Sequence, residues 1–236
     1  MHFKGLFMTW LAAAATVLVA AAPALAGPVS GQGTWETTLQ PRDLDGNLGN
    51  GPEAFYDTEL NITWLRDANG NYLNYSDAKE WIAQGGDEFF GLSGWRLPFT
   101  KDCRPTCDYH KPDSSVAGGN ELAHLFYQTL GNNPGPGDLE PNYGLTNTGG
   151  FRAMSYFLYW SSEVPDPDFP GYSAWTMDFR FGLLREREVT LSAVAMAVRD
   201  GDVLAVNPVP EPGTLALAAA GLLGLGLRRK WRAVAA

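Results

Sequence analysis

Both ends of this chain are apolar in a manner that a folded domain does not use, and together they confine what can fold to residues 27–208. At the N-terminus Lys4 supplies a basic start, residues 11–22 are apolar apart from Thr16, and Ala24-Leu25-Ala26 follows the helix breaker Pro23. A basic region, an apolar core and a small-residue site in that order describe a secretory signal peptide, with cleavage expected before Gly27. At the other end, Pro210-Glu211-Pro212 precedes an uncharged run over 213–227, and Arg228-Arg229-Lys230 follows it. The run is 15 residues long, short of the roughly 20 that a comfortable membrane helix needs. A weakly held transmembrane helix with a basic cytoplasmic stop is therefore expected. Two prolines before the run and four cations after it argue against a buried core helix.

This tail resembles the PEP-CTERM sorting signal of Gram-negative bacteria, with Pro210, Glu211 and Pro212 as the motif and Arg228, Arg229 and Lys230 as the stop. The resemblance implies export across the inner membrane, transient anchoring there, and processing by an exosortase after signal peptidase has removed residues 1–26. The destination it implies is the cell surface or extracellular matrix. The chain then divides into a signal peptide (1–26), a lead-in (27–53), a domain (54–203), a linker carrying Pro-Glu-Pro (204–212), a hydrophobic helix (213–227) and a basic tail (228–236).

Removing both ends exposes the charge of what remains. Five of the 17 basic residues leave with the signals, but only Glu211 of the 26 acidic ones, so the remainder carries 12 basic against 25 acidic residues, a net −13. Such a surface excludes nucleic acid, whose phosphates need clustered Lys and Arg. It favours solubility, cations or neutral sugars. The two cysteines, Cys103 and Cys107, are expected to pair as a disulfide closing a small loop, because exported proteins meet an oxidising compartment. The alternative is a metal site formed by Cys103, Cys107 and His110, with His124 as a fourth ligand, although no second paired knuckle accompanies it.

Within the domain, residues 55–57 and 61–65 read as strands around a turn near 59–61, and 67–71 as a loop. A helix is expected over 75–84: Asn74 or Ser76 can cap it, Ala78, Trp81 and Ile82 give one apolar face, and Gly85-Gly86 ends it. A second helix is expected over 121–130, with Asn120 as N-cap, Leu122, Leu125, Phe126 and Thr129 as its stripe and Gly131 as its stop. Residues 156–162 regain β character. Over 173–181, Trp175, Met177 and Phe179 alternate with polar residues, as in a half-buried strand. Residues 189–198 read as a last strand. Strands separated by two helices without βαβ alternation predict an α+β fold. The expected architecture is a compact single domain with a twisted, mainly antiparallel sheet and two short helices, the signal helix and the hydrophobic tail helix lying outside it.

Taken in order, the words Tyr56-Asp57-Thr58-Glu59-Leu60-Asn61-Ile62-Thr63-Trp64-Leu65-Arg66-Asp67, Ala78-Lys79-Glu80-Trp81, Gly94-Trp95-Arg96-Leu97-Pro98, Glu121-Leu122-Ala123-His124-Leu125-Phe126-Tyr127, Leu145-Thr146-Asn147-Thr148-Gly149, Tyr159-Trp160-Ser161-Ser162, Ala174-Trp175 and Ala197-Val198-Arg199-Asp200-Gly201-Asp202 resemble the Lcl C-terminal domain, a bacterial extracellular domain of unassigned function. The resemblance covers nearly all of 54–203. It implies an adhesin-like domain, and the Trp-Arg-Leu-Pro word is similar to C-type-lectin-like and formylglycine-generating-enzyme-like folds. The founding adhesin binds sulfated glycans, which the negative charge of this chain opposes.

Candidate sites are sparse. Trp95, Trp160 and Trp175 are expected mainly in the core, with Trp160 beside Ser161-Ser162 the best placed to stack on a sugar. Arg96 is expected to pair with a buried carboxylate. Glu140-Pro141-Asn142 matches a tripeptide with which mannose-type lectins hold calcium and sugar hydroxyls, so Glu140 and Asn142 join Trp160 as glycan-contact candidates. Asp43-Leu44-Asp45-Gly46-Asn47 and Asp67-Ala68-Asn69-Gly70-Asn71 resemble the start of calcium loops but place Gly fourth, with Ala54 and Ala78 where the closing Glu belongs; Asx–Gly turns are the expectation, leaving calcium as the one conceivable cofactor. No nucleophile elbow, metalloprotease motif or P-loop is present, and no catalytic or metal-binding set is assigned. The chain is expected to be a non-enzymatic module for exopolysaccharide or another surface component in a biofilm matrix. The alternatives are a carbohydrate-active or metal-dependent extracellular enzyme and a purely structural matrix protein.

Overall fold

A computed structural model describes residues 26–85, 87–101, 111–135, 143–162 and 171–206. A one-turn helix α1 (Trp35–Thr38) leads into β1 (Leu39–Arg42), β2 (Ala54–Asp57), β3 (Ile62–Leu65) and β4 (Asn69–Leu73). The helix α2 (Tyr75–Gln84), the short strand β5 (Trp95–Arg96) and the helix α3 (Glu121–His124) follow. The chain closes with β6 (Leu158–Trp160), β7 (Ser173–Asp178), β8 (Leu183–Glu188), β9 (Ala193–Ala195) and β10 (Val198–Asp200).

The fold is a mostly antiparallel α+β arrangement, but with two sheets where one was expected. Their orders are β1-β2-β3-β10-β5 and β4-β9-β6-β7-β8; β6 and β9 are the parallel neighbours among otherwise antiparallel pairs. The lead-in is structurally continuous with the rest, since β1 pairs with β2 along its whole length. Among the described residues no helix is long and apolar enough to cross a membrane; the expected signal and tail helices lie outside those residues.

The run expected as a single last strand is two strands in different sheets. β9 lies between β4 and β6, and β10 lies between β3 and β5. Side chains alternate across this stretch: Val194, Met196 and Val198 enter one core cluster with Trp64, Phe126 and Trp175, and Ala193, Ala195 and Ala197 enter a second with Trp160, Phe89 and Ile82. All six are buried. Residues 193–198 are thus a wall with a core on each side, which is why the run is apolar throughout rather than alternating apolar and polar.

Covering on both faces also explains β7. Its alternation predicted one exposed face, yet all six residues are buried. The polar ones are satisfied internally: Thr176 Oγ1 donates to the Arg185 carbonyl at 2.9 Å, and the Asp178 carboxylate meets Arg185 at 3.1 Å and Arg180 at 3.4 Å. The expected loop at 67–71 instead enters β4, which pairs with β9 through a register shift between Asn69 and Leu73. The helix α2 matches expectation. Asn74 accepts from the Asp77 N–H, and Gly85 ends the helix in the left-handed region at φ 55°. The second helix begins at Glu121 as expected but widens into a π turn over Leu125–Thr129, where the Leu130 N–H reaches back to the Leu125 carbonyl at 2.9 Å. Asn120 makes no cap bond; its amide donates to the Asp113 and Gly118 carbonyls, each at 3.1 Å.

The lead-in is tied down by backbone contact. Gly33 and Gly131 both adopt positive φ, and a side chain on either would overlap backbone atoms at or beside the other. Asn147, fully buried, secures the same region. Its Oδ1 accepts from the Val29 and Gly149 N–H groups at 2.8 and 3.0 Å, and its Nδ2 donates to the Gln32 and Leu130 carbonyls at 2.9 and 2.8 Å.

A candidate acidic and aromatic cleft

A cleft of about 350 Å³ opens where the β1–β2 connection, the β3–β4 connection and α2 meet. Glu53 comes from the first, Asp67 from the second, Asn69 from the start of β4, Trp81 from α2, and Phe90 from the turn after it. Backbone bonds fix this meeting: the Glu53 N–H donates to the Arg42 carbonyl at 3.0 Å, and the Arg66 N–H donates to the Glu53 carbonyl at 2.8 Å. Trp81 and Phe90 are each only half-buried. Phe90 holds φ at 55°, a region that residues with a large side chain adopt at a cost of about 1–3 kcal/mol and that concentrates at binding sites.

Glu53, which lines this cleft, also meets the β1–β2 connection. Its Oε2 accepts from the Leu44 N–H at 2.9 Å, and its carboxylate lies with those of Asp43 and Asp45 in a group whose oxygens fall within 4.8 Å of one another. The first calcium-like word forms the expected Asx turns: the Gly46 N–H donates to Asp43 Oδ1 and the Asn47 N–H to Asp45 Oδ1, both at 2.7 Å. The bond from the Asn47 N–H foremost, and then one from the Asn50 side chain, hold the exposed Asp45 carboxyl below its usual range. The fold therefore brings both calcium-like words to either side of Glu53, a residue outside each of them.

The other sequence candidates fall elsewhere. Trp160 is corrected as a glycan contact: it is fully buried, packs 5.3 Å from the Tyr75 ring, and donates its indole N–H to the Leu73 carbonyl at 2.8 Å. A strand at the middle of a two-faced sheet leaves its ring no surface for a sugar. Trp95 and Trp175 are buried as expected. Cys103, Cys107, His110, Glu140, Asn142, Pro210, Glu211, Pro212, Arg228, Arg229 and Lys230 lie outside the described residues. His124 is buried on α3, with Nδ1 2.9 Å from the Ser114 carbonyl and Nε2 3.1 Å from Glu59. The neighbouring Asp57 carboxyl is pushed up by burial. These bonds join the turn after β2 to α3 and border no cavity among those described.

Arg96 meets the expectation of a carboxylate partner. Its guanidinium donates twice to Glu121, at 2.8 Å each, and twice to Asp200 Oδ1, at 2.6 and 3.2 Å. Glu121 foremost, and then Asp200, hold the guanidinium more firmly protonated than usual against the opposing effect of burial. Glu121 also accepts from the Phe99 N–H at 2.7 Å, so it ties β5 to α3. Glu121→Ala is expected to destabilise the protein by about 2–4 kcal/mol, since it strands a half-buried cation and a backbone donor. Asp200→Ala should cost less than about 1 kcal/mol, because that carboxylate is largely exposed. Chemical denaturation of the two variants checks the contrast; equal losses would contradict it.

The cleft escaped the sequence reading because its members lie in four separate segments. Trp81 was assigned to the apolar face of α2, yet it sits at the margin of that face while Ala78 and Ile82 enter the core.

Comparison with known proteins identifies the tail. Residues 208–230 match the PEP-CTERM protein-sorting motif, which implies an exported surface protein processed by an exosortase after a membrane-anchored stage. No curated protein matches the chain.

Proposed function

We propose that the exported domain is a non-enzymatic binding module for extracellular polysaccharide at the surface or in the matrix of a Gram-negative bacterium, and that it binds in the cleft between Trp81, Phe90, Glu53 and Asn69. The observation that carries this reading is the pair of half-buried rings in a cleft that Glu53, Asp67 and Asn69 line together with Leu65, Ala68 and Gly70. Aromatic faces suit the C–H face of a sugar ring, and a few fixed polar groups orient its hydroxyls. The sorting motif supports the reading by delivering the domain to where polysaccharide is found. The family resemblance of residues 54–203 to an adhesin domain agrees with it. Signal peptidase and the exosortase are its transient partners, and the inner membrane holds it before release. Binding needs no cofactor; calcium, where present, would engage Asp43, Asp45 and Glu53.

A panel of extracellular polysaccharides tested against the full chain, with calcium and with a chelator, checks this. Trp81→Ala is expected to weaken binding at least about tenfold with the circular-dichroism spectrum unchanged. Undiminished binding by a folded Trp81→Ala protein would remove the cleft from consideration.

A further inference from the structure

The lining of the cleft selects among sugars. It offers two carboxylates, Glu53 and Asp67, with the rings of Trp81 and Phe90, and no Lys or Arg among the described residues that line it. Asp43 and Asp45 add to the same field through their approach to Glu53. The cation nearest in sequence, Arg66, turns its guanidinium toward the Pro52 carbonyl at 2.6 Å and the Gly150 carbonyl at 3.3 Å. Burial and the neighbouring Arg152 lower its pKa, opposed by Asp67 and Glu53. Arg66 thus offsets part of the negative field without entering the cavity.

Two acidic residues and two half-buried aromatic residues lining one cleft, with no Lys or Arg among its described lining, attract an ammonium group twice over. Coulombic attraction acts from the carboxylates, and the ring quadrupoles favour a cation over their faces. A sulfate or uronate in the same space would meet two like charges while losing its own hydration. A neutral sugar would gain the stacking alone. We propose that the ligand is a glycan bearing free amino groups, that is, a polymer containing de-N-acetylated amino sugars. This rests on the cleft being the binding site. The net −13 of the exported part draws polycations at long range as well, so the test has to separate cleft from surface.

The full chain is titrated at about pH 5.5, where sugar amines are charged, with a chelator present to exclude metal bridging. The probes are a glucosamine tetramer, its fully N-acetylated counterpart and a sulfated tetrasaccharide. The amine tetramer is expected to bind about tenfold tighter than the acetylated one, and the sulfated probe not at all. Glu53→Gln and Asp67→Asn should each weaken amine binding about fivefold, whereas the exposed pair Glu80→Gln with Glu188→Gln, which do not line the cleft, should leave it within about twofold. Equal binding of amine and acetylated tetramers, both lost in Trp81→Ala, would keep the cleft and overturn the amine preference. Amine binding that survives Glu53→Gln and Trp81→Ala but falls with the Glu80/Glu188 pair is attraction to the surface and overturns it too. Failure of every probe would overturn the cleft reading together with this one.

Discussion

Val194→Asp is expected to abolish folding. Val194 is 1% exposed, pairs with Tyr159 across the parallel β6–β9 contact, and lies in the core cluster that holds Trp64, Phe126 and Trp175. A carboxylate there has no cation among the residues of that cluster. Burying it ionised costs many kcal/mol, and protonating it leaves an unpaired polar group in the core. Against a total stability of about 5–15 kcal/mol for an ordinary domain, either cost is decisive. The protein should be recovered aggregated or without a cooperative thermal transition. Val194→Ala, which removes only methyl groups, should keep the fold and lose about 2–3 kcal/mol. The opposite face of the wall is crowded with small residues, so Ala195→Leu should also destabilise, by about 1–3 kcal/mol, through overpacking. A cooperative melt for Val194→Asp near that of the parent would mean that 193–198 does not divide the two cores as described.

Asn147→Ala should lower stability by about 4 kcal/mol, equivalent to a fall of roughly 10 °C in melting temperature for a domain of this size. Its side chain makes two accepting and two donating bonds to backbone groups of 29–32, 130 and 149. Deleting it leaves buried N–H and C=O groups unpaired, each worth about 1–3 kcal/mol. Asn147→Asp distinguishes hydrogen bonding from volume. It has the same shape and keeps the accepting oxygen, but turns a second oxygen toward the Gln32 and Leu130 carbonyls, so it should be no better tolerated than Ala. Recovery of stability in Asn147→Asp would assign the effect to packing instead.

The elements that were legible in the sequence are those whose signals are local. The helix α2 has its cap at Asn74, its Ala78 and Ile82 spacing and its Gly85 stop within a dozen residues, and none is contradicted by tertiary contacts. The β2–β3 hairpin is similarly local, with Asn61 at φ 53° supplying the turn. What depended on distant neighbours was not legible. The apolar run through Ala193 and Val198 contains no turn residue to mark the crossing between sheets, and periodicity alone does not separate one buried strand from two. The charges of Arg185, Glu186, Arg187 and Glu188 hid β8, an edge strand whose Glu186 and Glu188 face out while Arg185 and Arg187 are half-buried, charge being a common defence of exposed edges. The cleft needed the whole topology, because Glu53, Asp67, Trp81 and Phe90 belong to segments that only the folded chain brings together. The acidic balance was legible, since charge needs no topology, and it is the charge that directs attention to a ligand amine.

The position of β9 and β10 has a further consequence for the order of events in the cell. Synthesis begins at the N-terminus, and eight strands exist before either sheet can receive the strand that joins its two parts. The chain spends almost its whole time of manufacture as a set of gaps awaiting residues 193–200, a topology of long-range pairings that closes slowly. The sorting motif begins only eight residues after Asp200. A chain broken off early enough to lack β9 and β10 therefore lacks the sorting motif as well. A chain that carries the motif has already been given every strand it needs.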